Sequence, residues 1–553
     1  MHKHLLCLLL SCTFLLPASK AQLISYEKIE SYSTDQIRNL ARSFSVPNGL
    51  INFEYAIDTY KILYNTVGPN GDTVLASGAY LVPVNTTCSL PTITYQHGTT
   101  TRKSNVPSRR NAEYSINLFY ATGGYFVSLP DYIGLGDSPG LHPYVHSDSE
   151  ANSVIDLLRA GKEMVAELEA KQSDDLFLFG YSQGGHATAA AQKKIQEELS
   201  DEFTIAASNP MAGPYDLAGA QTDVILLDEP YPTPAYLPYF ILAYLEIYPD
   251  LLPFTVDEVF AAPYNTSLPP LFDGSLSLDQ IGAQMPAVPN QILTTSFLDS
   301  FKLNLDHPMR IALARNALLD WAPSAPTRLT HCMGDDQVPF ENSVVAKSSF
   351  ESNGATQVEL LDLGNSDHVD CARLALISGI AYFNRFYVGD NGIALADTTI
   401  VKATDLNSMD GSITVSISGG SGDISYLWST GETTASISGL AAGTYTVTVS
   451  DPDACSKEFS FELEALNTTG TGDPSLAPSR LFPNPTNDLL TIEWTAPGEA
   501  TLRLMNTNGQ SLLEQTIDLR STKQLSLGEL PQGMYWLEIQ QEGKRWVEKV
   551  ILW

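Results

Sequence analysis

Residues 176–192 read LFLFGYSQGGHATAAAQ, and the reading of this stretch decides the fold. Leu176, Phe177, Leu178 and Phe179 form an apolar run with no polar alternation, as expected of a short, fully buried strand. The alanine-rich stretch after His186 reads as a helix. Between them, Gly180-Tyr181-Ser182-Gln183-Gly184 fits G-x-S-x-G, a strand-to-helix turn too tight for side chains beside the serine. Glycines relieve the crowding, and the strained turn lifts the serine oxygen above the sheet. A plain glycine-rich turn with an incidental serine would look the same over five residues, so the rest of the chain must supply the partners.

Working outward, strand-like and helix-like runs alternate from Gln22 to about Asp390. TITYQHG, GGYFVSLPDY, FTIAASNP, PTRLTHCMGDD and QVELLDLGNSDH are short and apolar, separated by helical stretches such as SEANSVIDLLRAGKEMVAELEA. This alternation predicts a mainly parallel sheet with helices on both faces. YKILYNTVG and TVLASGAYLVP flank the turn Pro69-Asn70-Gly71-Asp72 and predict a hairpin. Between about residues 219 and 321 the alternation stops, and a stretch rich in Pro, Tyr and Leu predicts a helical insertion covering one end of the sheet.

A serine hydroxyl is a weak nucleophile that needs a base, an orienting acid and donors for the developing oxyanion. In such a sheet the expected chain order is Ser, then Asp or Glu, then His. Beyond Ser182, TRLTHCMG ends in Asp335-Asp336, followed by Gln337-Val338-Pro339, and either aspartate suits the acid. VELLDLGNSDHVDC then ends a strand near Gly364 and places His368 in the loop where the base belongs. Upstream, ITYQHGTTT ends a strand at His97-Gly98, so the main-chain N–H groups of Thr99 and Gln183 are the candidate oxyanion donors. His97, His186, His307 and His331 fall in the oxyanion turn, the nucleophile helix, the insertion and the acid's own strand. His142 and His146 read as structural or cleft-lining. Cys332 and Cys371 lie three residues before Asp335 and three after His368, so a disulfide there would tie the acid loop to the base loop. Two buried thiols are the alternative. Cys88 and Cys455 lie in different segments and are expected to be unpaired.

At YQHGTT (95–100), PDYIGLGDS (130–138), GYSQGGH (180–186) and DDQVP (335–339) the chain resembles the α/β-hydrolase superfamily, closest to secreted lipase/esterase-like members. The resemblance spans most of residues 22–390. It implies a catalytic triad of Ser182, Asp335 and His368, with Asp335 preferred over Asp336 by the D-x-x-V-P spacing. It also implies hydrolysis of carboxylic esters through an acyl-enzyme, with no metal or organic cofactor. A small-molecule or lipid ester is the expected substrate; an exported aminopeptidase or oligopeptidase on the same fold, with Asp228, Glu229 or Glu246 anchoring an amine, and an inactive cell-surface binding protein are the alternatives. Asp131, Gly134 and Gly136 fall in a loop near the cleft and read as structural.

The flanks describe an exported protein. His2, Lys3 and His4, the apolar core Leu5 to Leu16 and Ser19-Lys20-Ala21 predict a cleaved signal peptide over residues 1–21, its core too short to span a bilayer. Export permits disulfides. With 31 basic against 63 acidic residues, a net charge of −32 argues against nucleic acid or an anionic membrane as partner. No transmembrane segment is expected. Residues 395–466, rich in Ser, Thr and Gly with period-two alternation, predict a small β-sandwich, and SGGSGDISYLWSTGETTASISGLAAGTYTVTVSD resembles an immunoglobulin-like repeat of Bacteroidetes gliding adhesins. Residues 467–479 read as a flexible linker. Residues 480–553 are again all β; LFPNPTNDLLTIEW and LPQGMYWLEI resemble the C-terminal sorting domain of type IX secretion cargo. That resemblance implies the type IX machinery as partner and a secreted or outer-cell-surface location.

Overall fold

The computed structural model describes residues 23–552, apart from 48, 87, 388–392, 405–407, 421, 452–454, 466–473, 495–497, 508 and 521. The expected signal peptide and residues 467–473 of the expected linker lie outside the described residues. The chain divides into two units, Met1–Asn391 and Gly392–Trp553.

The first unit is built on nine strands: β1 (Leu23–Tyr32), β2 (Ile57–Val67), β3 (Thr73–Pro83), β4 (Leu90–Gln96), β5 (Phe126–Pro130), β6 (Gln172–Tyr181), β7 (Thr204–Met211), β8 (Thr327–His331) and β9 (Val358–Asp362). They lie in the order β1-β2-β3-β5-β4-β6-β7-β8-β9. The pairings from β5 through β9 are parallel, while β1, β2, β3 and β5 pair antiparallel. The expected hairpin is β2–β3, with Val67 opposite Thr73 and the Gly68 N–H donating to the Asp72 carbonyl at 2.8 Å.

The LFLF run explains why two faces must be covered. Along a strand, side chains alternate in direction. Phe177 and Phe179 therefore pack with Tyr95 of β4 and with Phe119, Tyr120 and Phe383 from the helices Ala112–Thr122 and His368–Phe383, which cover one face. Leu176 and Leu178 pack with Val154, Ile155, Ala190 and Phe350 from the helices Ser147–Glu167, Gln183–Glu198 and Glu341–Ser352 on the other. Each such side chain contributes about 1.5–3 kcal/mol of burial free energy, so alternation with polar residues would forfeit one face.

Between β7 and β8 the chain forms short helices, among them Tyr236–Ile247, Thr295–Leu303 and Pro308–Arg315. Tyr236–Ile247 buries Leu237, Tyr239, Phe240, Ile241, Ala243, Tyr244 and Ile247, which do not fit one stripe. A helix apolar nearly all round must be enclosed; Ile225, Phe260, Phe301 and Leu313 enclose it in a separate core.

In the second unit the described strands pair antiparallel, with isolated parallel bridges at Ala403–Ala465 and Thr486–Leu552. Ala394–Val401, Gly411–Ser418 and Ser436–Leu440 form one three-stranded sheet, and Ser425–Trp428, Gly443–Ser450 and Ser456–Leu463 another. Trp428 is buried against Phe461 and donates its indole N–H to the Thr434 carbonyl at 2.8 Å. Farther along, a three-stranded sheet containing Leu489–Glu493 and a four-stranded sheet containing Glu499–Asn506 and Gly533–Gln541 enclose Leu490, Leu502, Leu504, Leu537 and Ile539. Among the described residues, no helix is long and apolar enough to cross a membrane.

Candidate active site

Ser182 stands at the β6-to-helix turn with φ 60° and ψ −122°. A non-glycine residue in that region carries strain that only a fully determined surrounding can hold. The neighbouring glycines provide that surrounding. A Cβ on Gly184 would lie 1.9 Å from the Gln96 carbonyl oxygen, one on Gly180 2.3 Å from the Gly184 carbonyl, and one on Gly185 2.3 Å from the Met211 carbonyl. The Ser182 N–H donates to the Met211 carbonyl at 2.9 Å, anchoring the turn to β7.

His368 is the first residue of the helix His368–Phe383, capped by Asp367, whose side chain accepts the Asp370 N–H. Its Nε2 lies 2.8 Å from Ser182 Oγ and its Nδ1 lies 2.6 Å from Asp335 Oδ2. Asp335 and Asp336 divide the work the sequence left open. Asp335 meets the imidazole, while Asp336 Oδ1 accepts the His368 main-chain N–H at 3.2 Å. The other oxygen of Asp335 accepts the N–H groups of Gln337 at 3.0 Å and Val338 at 2.7 Å. Burial alone would push the Asp335 carboxyl up, but hydrogen bonds from His331 and His368, with their charge, outweigh it and hold the group well below the usual carboxylate range. Cys332 and Cys371 form a disulfide joining the segments that carry Asp335 and His368. Cys88 and Cys455, expected to be unpaired, are both buried and both disulfide-bonded. Export to an oxidising compartment favours disulfides over free thiols.

The turn after β4 approaches the serine closely. A Cβ on Gly98 would stand 4.0 Å from Ser182 Cβ, and Thr99 follows it in the chain. Glu113 holds this turn, accepting the Gly98 N–H at 3.0 Å and the Tyr95 hydroxyl at 2.6 Å. Gln183 begins the helix, where main-chain N–H groups lack intrahelical acceptors. Its side chain is fixed from behind: Nε2 donates to Glu150 Oε1 at 2.8 Å and to His142 Nε2 at 2.6 Å. The insertion is stitched to the same turn. Tyr239 donates to the Thr100 carbonyl at 3.1 Å, Thr101 Oγ1 to the Leu276 carbonyl at 2.7 Å, and the Lys103 N–H to the Gly274 carbonyl at 2.9 Å. A pocket opens against Ser182 and Gln183, walled by Tyr144, Leu217, Ile225, Phe240 and Leu313.

The remaining histidines have structural partners. His142 donates from Nδ1 to the Ile133 carbonyl at 2.7 Å, and burial pushes its pKa down to about 3. His146 caps the helix Ser147–Glu167 and is pushed down to about 4 by burial. His186 bridges Glu150 Oε2 at 2.6 Å and the Asn316 carbonyl at 2.8 Å. Asp131 is buried and accepts from Ser77 Oγ and the Ser108 N–H. Sequence reasoning missed Glu113, Glu150 and the contact of His331 with Asp335. A glutamate in the first turn of a helix reads as a charge on the helix dipole, and only the fold turns Glu150 inward.

Residues 113–214 match the secretory lipase family model, and residues 480–553 match the secretion system C-terminal sorting domain. A crystal structure of a Legionella pneumophila protein assigned as a hydrolase is 30% identical, with a TM-score of 0.61 over 66% of this chain and 98% of that one. The rice cell wall degrading esterase LipA from Xanthomonas oryzae is 31% identical, with a TM-score of 0.59 over 66% of this chain and 97% of that one. No curated protein sequence matches. The sorting domain carries the protein through type IX secretion to the outer surface or the medium. The chain belongs to the secreted lipase and esterase family of α/β hydrolases.

Proposed function

We propose that the first unit is a serine hydrolase that cleaves carboxylic esters through an acyl-enzyme. The observation that carries this reading is a single imidazole, His368, set 2.8 Å from a strained serine hydroxyl and 2.6 Å from a buried carboxylate. Ser182 Oγ attacks the ester carbonyl while His368 Nε2 takes its proton. Asp335, held as an anion, fixes the imidazole with Nδ1–H toward it and stabilises the imidazolium that forms. The N–H groups of Thr99 and Gln183 receive the oxyanion, each worth about 3–4 kcal/mol in the transition state. His368 then returns the proton to the leaving alcohol, and water repeats the sequence to free the acid.

An ester is favoured over a peptide by the pocket. Its lining side chains are apolar, aromatic or neutral polar, and among the described residues no carboxylate stands there to anchor a substrate amine. Asp228, offered by the peptidase reading, is exposed and paired instead with Lys302 at 2.9 Å and Asn290 at 2.7 Å. The esterase among the structural relatives supports the same choice. The test is turnover of p-nitrophenyl acetate, butyrate and palmitate beside an aminoacyl-p-nitroanilide panel, with Ser182→Ala as control. Ester turnover abolished in the variant is expected. Anilide turnover alone would establish the peptidase, and absence of fluorophosphonate labelling at Ser182 would establish the inactive binding protein.

A further inference from the structure

Two imidazoles converge on one oxygen of Asp335. His331, the last residue of β8, is fully buried, and its Nε2 lies 3.2 Å from Asp335 Oδ2 and 3.0 Å from the Val338 carbonyl. Both neighbours accept, so Nε2 carries the hydrogen. Nδ1 lies 2.8 Å from Ser343 Oγ, on the helix Glu341–Ser352, which fixes the ring and donates in return. The oxygen that faces His368 is thus shared with a second donor. The other oxygen is occupied by two main-chain N–H groups.

We propose that His331 is a positioning residue for the acid–base pair, acting on His368 through Asp335 Oδ2. The proposal rests on the serine-hydrolase reading above. By donating to that oxygen, His331 draws negative charge away from the bond to His368 and orients the carboxylate. With the donor removed, Oδ2 offers its full charge to His368, the imidazolium is held to higher pH, and the base form appears later on the pH scale. Other groups facing this pair are Asp336 on the His368 N–H, Asp367 at the helix cap, the Tyr181 hydroxyl on the His368 carbonyl at 2.7 Å, and Tyr231 and Tyr236 from the insertion. None changes when residue 331 is replaced, so a shift in the acid limb belongs to that residue.

The experiment compares His331→Phe, His331→Asn and His331→Gln in the full-length secreted protein. Phe removes both polar atoms. Asn reaches only the Nδ1 position, keeping Ser343 satisfied while leaving Asp335 without its donor. Gln places an amide N–H where Nε2 was. The readouts are the pH dependence of kcat/KM for p-nitrophenyl acetate and of the rate of Ser182 labelling by a fluorophosphonate. For Phe and Asn the acid limb is expected to move up by about half to one pH unit, with plateau kcat/KM down about tenfold; Gln should return most of both. An unmoved limb in a folded Asn variant overturns the proposal, as does equal impairment by Gln and Asn, which marks a packing role. A wild-type protein that is not labelled at all refutes the serine-hydrolase reading itself, a result distinct from normal labelling with an unmoved limb.

Discussion

The two sides of the candidate site are built by different means. On the Ser182 side the means are steric: the serine is placed by backbone crowding at a glycine-rich turn, with the Gly184 carbonyl and those of Gln96 and Met211 from the flanking strands filling the space that side chains would need. On the acid–base side the parts come from separate loops, 33 residues apart, and are held by hydrogen bonds, a disulfide and a second histidine. Sterics fix the first; polar networks fix the second. Local sterics tolerate almost no substitution, whereas a network loses function by degrees.

Perturbation should sharpen that contrast. Ser182→Ala removes the attacking atom and leaves the backbone strain in place, so kcat should fall ~10⁶-fold with unfolding stability little changed, read by turnover and chemical denaturation. Asp335→Asn should cost ~10⁴-fold in kcat, because an amide no longer fixes the His368 tautomer. Gly184→Ala should act on folding instead. Its Cβ meets backbone that cannot move aside, and a loss of more than about 4 kcal/mol, seen as insoluble or unfolded protein, is expected. Equal solubility and activity would show that the turn has slack. Cys332→Ser with Cys371→Ser should lower stability by about 2–4 kcal/mol and reduce kcat more than the KM for ester, since the loops that lose their tie carry acid and base.

Away from neutral pH a further effect is expected. His142 has a folded pKa near 3 against 6.5 for the free side chain, so between those values the unfolded chain binds the extra proton. Stability therefore falls as pH drops from about 6.5 toward 3, by up to about 1.4 kcal/mol per unit for this one group. His142→Gln should flatten the slope of urea-unfolding free energy in that window.

The same division explains what was legible in the sequence. The G-x-S-x-G turn, the LFLF strand and the β2–β3 hairpin depend on neighbours in the chain, and periodicity and glycine spacing report neighbours. The resemblance prefers Asp335 to Asp336 by its D-x-x-V-P spacing, but what each aspartate touches depends on which main-chain groups and rings surround the loop in space. Glu113 and Glu150 carry no local mark, because each matters only through a turn that the fold brings to it. The three antiparallel strands at the sheet edge follow from the β2–β3 hairpin, yet the side on which they join depends on β5 lying between β3 and β4.

The stitching of the insertion to the turn after β4 has a consequence for traffic through the site. The helix that walls the pocket also bonds, through Tyr239, to the residue next to Thr99. Under the mechanism proposed above, a substitution that displaces that helix would pull on the peptide assigned to the oxyanion. The wall of the pocket and the turn beside Ser182 are in this sense one mechanical piece, so a side chain that reshapes the wall is expected to be felt in turnover as well as in the fit of the substrate.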